Sequence, residues 1–176
     1  MYYFHMNKTS DISTYNDLQQ SVDAAHRRLA GEALSEISIC VLLKHSTRLL
    51  SEIMNRDLKE YGLSYSSYVA LMTLASATDQ QINPSVLCNR TGETRANMTR
   101  ICDELVELGL IQRIANIDDR RRVDLSLSEA GIDLLKVVVP RLRGRASQLF
   151  SNLDDSEKAS LKAGLGKVMT TLEAVL

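Results

Sequence analysis

Apolar residues recur at three- and four-residue steps along much of the chain, which is the pattern of amphipathic helices. The longest such stretch predicts a helix from about Leu34 to Tyr61, and Gly62 is suited to end it. A second helix is expected to begin after Ser64, whose side chain can cap the first free N–H groups of a helix.

Two more helices are expected close together in the middle of the chain. Asn83 followed by Pro84 is typical of a helix start, so a short helix is predicted at about 84–90. The Thr-Gly dipeptide at 91–92 predicts a tight turn, and the next helix is expected over about 95–107.

The period then changes to two, which indicates extended structure. Val123, Leu125 and Leu127 alternate with polar residues, as in a strand with one buried face. An extended segment at 110–115 precedes them, and the polar residues 116–122 lie between. This arrangement predicts a β-hairpin.

The C-terminal part returns to helical spacing. Ser128 is expected to cap a long helix, which Pro140 should kink or break, and Asp154 with Glu157 forms an acidic capping pattern for the last helix. That last helix carries apolar residues at steps of four, three, four and three, which favours a subunit interface over packing on the chain's own core. These residues are Leu161, Leu165, Val168, Leu172 and Val175. The predicted fold class is mainly α with a small β-hairpin wing.

Composition excludes several classes of protein. The chain of 176 residues, 44% of them hydrophobic, is long enough for one domain with a real core. It has no apolar run long enough for a membrane helix and no signal-peptide pattern, so a cytoplasmic location without membrane contact is expected. The three cysteines and three histidines are scattered, so neither a disulfide framework nor a metal or other cofactor is predicted.

Net charge is −1, so DNA binding would have to depend on local charge. The charges of the predicted helix at 95–107 are separated along its axis, because Arg95, Asn97 and Arg100 come early while acidic residues come late. Arg and Asn suit bidentate contacts with guanine and adenine edges. Its other face is expected to be buried through Met98, Ile101, Cys102, Leu105 and Leu108. Three arginines also stand at the tip of the hairpin, where they could reach phosphates or the minor groove.

The stretch INPSVLCNRTGETRANMTRICDELVELGLIQRIANIDDRRRVDLSLSEAG resembles the MarR family of bacterial regulators, with its "GLIxR", "DDRR" and "LSEAG" elements. Within the family, TRANMTRICDELVELG looks closest to the EmrR (MprA) branch. The resemblance runs from about Ile37 to the C-terminus. It implies a winged helix-turn-helix homodimer that binds a pseudo-palindromic operator in double-stranded DNA. The implied DNA-binding residues are Thr94, Arg95, Asn97, Arg100, Asp119, Arg120 and Arg121, with Arg122 at a position where the family pattern varies.

The same resemblance suggests a division of the chain. Residues 1–33 would be a partly helical N-terminal extension. Residues 34–62 and 129–176 would form the dimerisation helices, and residues 63–128 would form the winged helix-turn-helix lobe of what is expected to be a single domain overall.

Two modes of control remain open. Family members are usually released from DNA by small phenolic or lipophilic ligands or by cysteine oxidation. The candidates for the polar wall of a ligand cleft are His45, Arg48, Tyr65 and Tyr68. Cys40 falls on the reactive cysteine of the OhrR branch, although Met54 stands where that branch has a tyrosine.

The leading hypothesis is therefore a repressor that a ligand releases from DNA, with a regulator switched by oxidation of Cys40 as the alternative. A second alternative is a winged-helix protein-interaction module without DNA binding, which would have no reason to keep the arginines of the helix and the hairpin tip. We do not predict an enzyme, because the sequence shows no nucleophile–base pair, phosphate-binding loop or metal cluster.

Overall fold

A computed structural model describes residues 11–31, 35–77, 81–116 and 123–175. The helices in chain order are α1 (Asp11–Ala30), α2 (Ser35–Leu58), α3 (Tyr65–Ala75), α4 (Pro84–Thr91), α5 (Arg95–Glu107), α6 (Glu129–Leu149) and α7 (Asp155–Val175). A 3₁₀ turn, Lys59–Tyr61, follows α2, and the strands β1 (Ile111–Ala115) and β2 (Val123–Leu127) form an antiparallel hairpin. The predicted mainly α fold with a hairpin wing is confirmed. Within the described residues, none of the helices has the length and apolar character needed to span a bilayer.

The chain divides into two compact units, residues 1–53 and 54–176. The first contains α1 and most of α2, and within it the Ser38 hydroxyl donates a hydrogen bond to Oδ1 of Asp23 at 3.2 Å. The second contains the last turn of α2 and all later elements. Among the described residues, its largest fully buried side chains come from α2 to α6 and β2: Leu58, Leu71, Leu74, Leu87, Met98, Ile101, Leu105, Leu125 and Val138.

The predicted helix starts are occupied by side-chain caps. Ser64, Asn83 and Ser128 each accept a hydrogen bond from a backbone N–H in the first turn of the helix that follows. At α7, Asp154 and Glu157 form a reciprocal capping box with two 2.8 Å hydrogen bonds. Capping is a local interaction, which is why sequence could locate these boundaries.

The alternation expected in β2 is wrong. Val123 is 44% exposed, whereas Asp124 and Ser126 are buried. The reason is a third backbone segment, because Ile82 exchanges two 2.9 Å hydrogen bonds with Leu125 and so places β2 between β1 and residue 82. The buried Asp124 carboxylate accepts a 2.5 Å hydrogen bond from Nδ2 of Asn116.

Two other expectations need correction. Leu108 is 52% exposed, because α5 ends at Glu107 and residue 108 already belongs to the following turn. The break that was one outcome expected at Pro140 does not occur, because α6 runs without interruption from residue 129 to 149. Pro140 lies on an exposed side of the helix, where water can hydrate the carbonyl group that its missing N–H leaves free.

Candidate nucleic-acid interface

The pair α4–α5 is joined by a tight turn that fixes the start of α5. Gly92 adopts a left-handed conformation with φ 71°, and its N–H bonds to the Cys88 carbonyl at 3.0 Å. The Thr94 hydroxyl oxygen accepts the Asn97 N–H at 3.2 Å and caps α5. One face of α5 is buried through Met98, Ile101, Cys102 and Leu105, which leaves the opposite face open to solvent.

The structure brings Asn97 and Arg100 together on this helix. Nη2 of Arg100 donates to Oδ1 of Asn97 at 2.9 Å, and Nη1 pairs with Glu104. Nδ2 of Asn97 donates to Oε2 of Glu93 at 2.6 Å. Arg95 is exposed at the first position of α5 and lines a cavity of about 190 Å³ beside it.

Sequence reasoning missed Glu93 and its partner Ser66. The Ser66 hydroxyl, in the first turn of α3, donates to Oε1 of Glu93 at 2.5 Å. Hydrogen bonds from Ser66 and then from Asn97 lower the pKa of Glu93 below its usual value, with a smaller contribution from the charge of Arg100. Because 27 residues separate Ser66 from Glu93, no local pattern could have revealed the contact.

Asp103 and Glu104, two of the late acidic residues of α5, pair with arginines. Oδ1 of Asp103 lies 2.5 Å from Nη2 of Arg113, which ties α5 to β1, and Glu104 pairs with Arg100. Both pairs are about half exposed, so each contributes only about 0–1 kcal/mol to stability. These two acids of α5 therefore orient Arg100 and Arg113.

The wing is described up to the ends of its strands. β1 and β2 pair from Ile111↔Leu127 to Ala115↔Val123. The candidate residues of its tip, Asp119, Arg120, Arg121 and Arg122, lie outside the described residues.

The ligand-cleft candidates lie in separate units. Tyr65 and Tyr68 stack on α3 with ring centroids 6.3 Å apart. Burial, and to a lesser extent Tyr65, raises the pKa of Tyr68. On α2, Arg48 pairs with Glu52 at 2.5 Å, and His45 is half-buried.

A larger apolar cavity lies elsewhere in the second unit. It has a volume of about 490 Å³ between the end of α3, the end of β2 and the first half of α6. Its lining includes Leu74, Leu135 and Val139, and Lys136 is the charged residue in that lining. Tyr65 and Tyr68 do not belong to its lining, and their place in a ligand cleft stays a prediction.

The cysteines differ in exposure. Cys40 is exposed, whereas Cys88 and Cys102 are buried. Burial raises the pKa of Cys102 to about 11. Across the part of the chain that is described, His, Cys, Asp and Glu side chains form no group of three suited to a metal ion.

The last helix is exposed along its whole length, because none of the described residues of α7 is buried. Its predicted seam stays open, with Leu161, Leu165 and Val168 each 37–43% exposed and Leu172 54% exposed. Together with Phe150 at the end of α6, α7 borders an open apolar groove of about 740 Å³.

Comparisons with known proteins agree with this architecture. A sequence model described as "MarR family" matches residues 61–122. The chain is 33% identical to the transcriptional repressor MprA of Escherichia coli over 161 residues, which is 92% of each protein. Several solved structures share its fold. AbsC, a MarR family transcriptional regulator from Streptomyces coelicolor, has a TM-score of 0.71 at 22% identity, covering 80% of this chain and 97% of AbsC.

Two further structures are of DNA-binding proteins. MepR of S. aureus, in a complex with DNA, has a TM-score of 0.70 at 19% identity, covering 75% of this chain and 96% of that one. BpsR of Bordetella bronchiseptica, whose DNA binding is regulated by 6-hydroxynicotinic acid, has a TM-score of 0.67 at 19% identity, covering 74% of this chain and 98% of BpsR.

Proposed function

Because this chain belongs to the MarR family of transcription regulators, we propose that it is a homodimeric repressor that places α5 in the major groove of operator DNA. The observation that carries this proposal is the open face at the start of α5, where Arg95, Asn97 and Arg100 stand opposite a buried face. These side chains suit base edges and phosphates. Thr94 is included among the contacts, since its backbone N–H lies at the helix start.

The wing supplies the second contact. Asp119, Arg120, Arg121 and Arg122 follow β1 in sequence, and the Asp103–Arg113 ion pair ties β1 to α5. We assign these arginines to phosphates or the adjacent minor groove, with Asp119 orienting one guanidinium.

A homodimer is proposed because α7 leaves an apolar seam exposed. The dimer would be held by residues 34–62 and 129–176, and residues 63–128 would form each DNA-binding lobe. Two recognition helices about 34–36 Å apart would then read the half-sites of a pseudo-palindrome. A cytoplasmic location, where operator DNA is accessible, is part of this proposal.

Selection of bound duplexes from a random library tests the function directly. A pseudo-palindrome with half-sites one turn apart is the expected result, and its affinity should fall steeply between about 50 and 200 mM salt. Absence of any preferred sequence, or a nearly flat salt response, would contradict DNA binding and favour a protein-interaction module.

Release by a small phenolic or lipophilic ligand is supported by the cavity between α3 and α6. Its apolar walls suit an aromatic ring, and Lys136 can pair with an acidic group. Salicylate, as a probe of this class, should weaken operator binding by the wild-type chain and have less effect on Val139→Phe, which fills the cavity. Equal effects on the wild-type chain and on Val139→Phe would mean that the ligand binds elsewhere. The residues to substitute next would then be His45, Arg48, Tyr65 and Tyr68.

Oxidation of Cys40 is the second candidate, which its exposure favours. Mild peroxide should then release DNA from the wild-type chain and not from Cys40→Ser. Unchanged operator binding by the oxidised wild-type chain would exclude this switch.

A further inference from the structure

We propose that Glu93 is a positioning residue that fixes the carboxamide of Asn97 and thereby sets the base preference of α5. This inference rests on the proposed function. Glu93 precedes the cap Thr94, and its two carboxylate oxygens have different partners, Ser66 at 2.5 Å and Asn97 at 2.6 Å.

The first step is the orientation of Asn97. A carboxylate oxygen at 2.6 Å accepts an N–H but repels a carbonyl oxygen, so Glu93 selects the rotamer of Asn97 in which Nδ2 faces it. The Asn97 oxygen then points the other way along the helix, where it accepts Nη2 of Arg100 at 2.9 Å. One carboxylate therefore orders two of the side chains assigned to base recognition.

The second step concerns the hydrogen-bonding groups of Asn97 that remain available to DNA. A carboxamide has two N–H groups and two acceptor lone pairs, and the contacts to Glu93 and Arg100 use one of each. The remaining N–H and lone pair can serve a base edge, as in the bidentate pairing of Asn with adenine. Because its rotamer is already fixed, Asn97 loses less conformational entropy when it binds DNA.

The third step is the position of Ser66. It belongs to α3 and is half-buried, and its hydroxyl holds the oxygen of Glu93 that Asn97 does not use. The orientation of Asn97 is thus anchored to the body of the lobe rather than to α5 alone. The pKa of Glu93, lowered by these same hydrogen bonds, keeps the carboxylate ionised at neutral pH.

A simpler role would be helix stabilisation, since an acid near a helix N-terminus interacts well with the helix dipole. That role predicts a change in stability without a change in base preference. An acid beside a DNA-facing surface also repels phosphates, so its removal alone should strengthen binding to all sequences.

The test measures the affinity for the selected operator and for a duplex altered at one base pair, namely the pair at which Asn97→Ala relaxes the preference. The ratio of these two affinities measures the base preference. Glu93→Ala should reduce this ratio about tenfold, the size of one bidentate contact, while binding to the altered duplex stays equal or tightens. Ser66→Ala, which changes no charge, should reduce the ratio in the same direction by about threefold. Glu93→Gln can keep both contacts, because its amide oxygen can accept from Asn97 while its amide N–H donates to the Ser66 hydroxyl oxygen, and it should remain within about twofold of wild type.

The decisive comparison repeats Glu93→Ala in the Asn97→Ala background. If Glu93 acts through Asn97, the second substitution should change the ratio by less than about twofold. An effect that persists would mean that Glu93 contacts a base itself, and an unchanged ratio in Glu93→Ala alone would mean that it only stabilises the helix. Either result overturns the inference. Glu107→Ala, an exposed acid at the far end of α5, serves as the matched control.

A measurement without DNA separates this inference from the proposed function. In the ¹⁵N spectrum of the free protein, the Asn97 side-chain amide signals should shift in Glu93→Ala and return near their wild-type positions in Glu93→Gln. Unshifted signals would overturn the positioning role even if the wild-type chain selects an operator. If the Asn97 signals shift as expected in Glu93→Ala but the wild-type chain prefers no duplex, the proposed function is overturned, and the role of Glu93 in base preference with it.

Discussion

The Arg145 guanidinium contacts both carboxylate oxygens of Asp57, a buried residue that precedes it by 88 positions. The pair joins the last turn of α2 to α6, and the Asp57 side chain is only 7% exposed. An ion pair of this kind costs desolvation, but removing one partner leaves the other charge buried without compensation.

Arg145→Met should therefore lower the free energy of unfolding by roughly 2–4 kcal/mol, as measured by urea denaturation. Adding Asp57→Asn should recover a large part of this loss, because the buried charge is then gone. Arg143→Met, two positions away and exposed, is the matched control and should change stability by less than about 0.5 kcal/mol. Equal losses in the single and double variants would show that an unpaired Asp57 charge is not what destabilises the Arg145→Met chain.

Gly131 marks a second close contact that can be tested. A Cβ atom at this position would lie 2.1 Å from the carbonyl oxygen of Leu110 and 3.2 Å from Cδ2 of Leu127, so the backbone of the wing or of α6 would have to move. Gly131→Ala should cost about 1–3 kcal/mol in a urea melt. Gly144→Ala, in the same helix but with nothing within 4 Å, should stabilise by about 0.5–1 kcal/mol. A neutral Gly131→Ala would mean that the junction between wing and helix is looser than this contact implies.

Features encoded within a few residues could be predicted from the sequence. The caps at Ser64, Asn83 and Ser128 and the boundaries of α4 and α5 depend on neighbouring residues, and the structure confirms them. Periodicity failed in β2, because a backbone pairing with Ile82 buries residues that alternation had assigned to solvent.

The same distinction applies to the candidate site. The sequence could predict that Arg95, Asn97 and Arg100 belong to the DNA-facing part of α5. It could not predict the orientations of the Asn97 and Arg100 side chains, which depend on their contacts with Glu93 and with each other. Glu93 was not selected because its role requires Ser66 from another helix. The cavity at Leu135 and Val139 is formed by α3 together with β2 and α6, which follow much later in the chain, so no local pattern could locate it.

The exposed seam of α7 predicts the oligomeric state. Leu165→Glu introduces a charge into the seam and should convert a dimer to a monomer in analytical ultracentrifugation, with a loss of operator affinity of tenfold or more, since both half-sites must be held at once. Ala163→Glu lies on the opposite side of α7 and should leave both properties unchanged. A dimer that survives Leu165→Glu would show that the seam is not the subunit interface.

The cysteines should react with iodoacetamide in a definite order. Cys102 is 3% exposed with a pKa of about 11, so at pH 8 only about one in a thousand of its thiols is ionised even when reagent reaches it. Cys40 is exposed and should be alkylated first in the native chain, as peptide mass spectrometry would show. In denaturant, where burial is lost, all three cysteines should be labelled.

The raised pKa of Cys102 also gives a sign for the effect of pH on stability. In the unfolded chain the thiol ionises near its usual pKa of 9.0, whereas burial in the folded chain raises that pKa to about 11. Its contribution to stability is therefore complete below about pH 9 and is lost as pH rises toward 11. Cys102→Ala should flatten the dependence of urea-melt stability on pH across this interval. Because Cys102 packs on the buried face of α5, native alkylation of Cys102 as fast as that of Cys40 would show that this face opens readily.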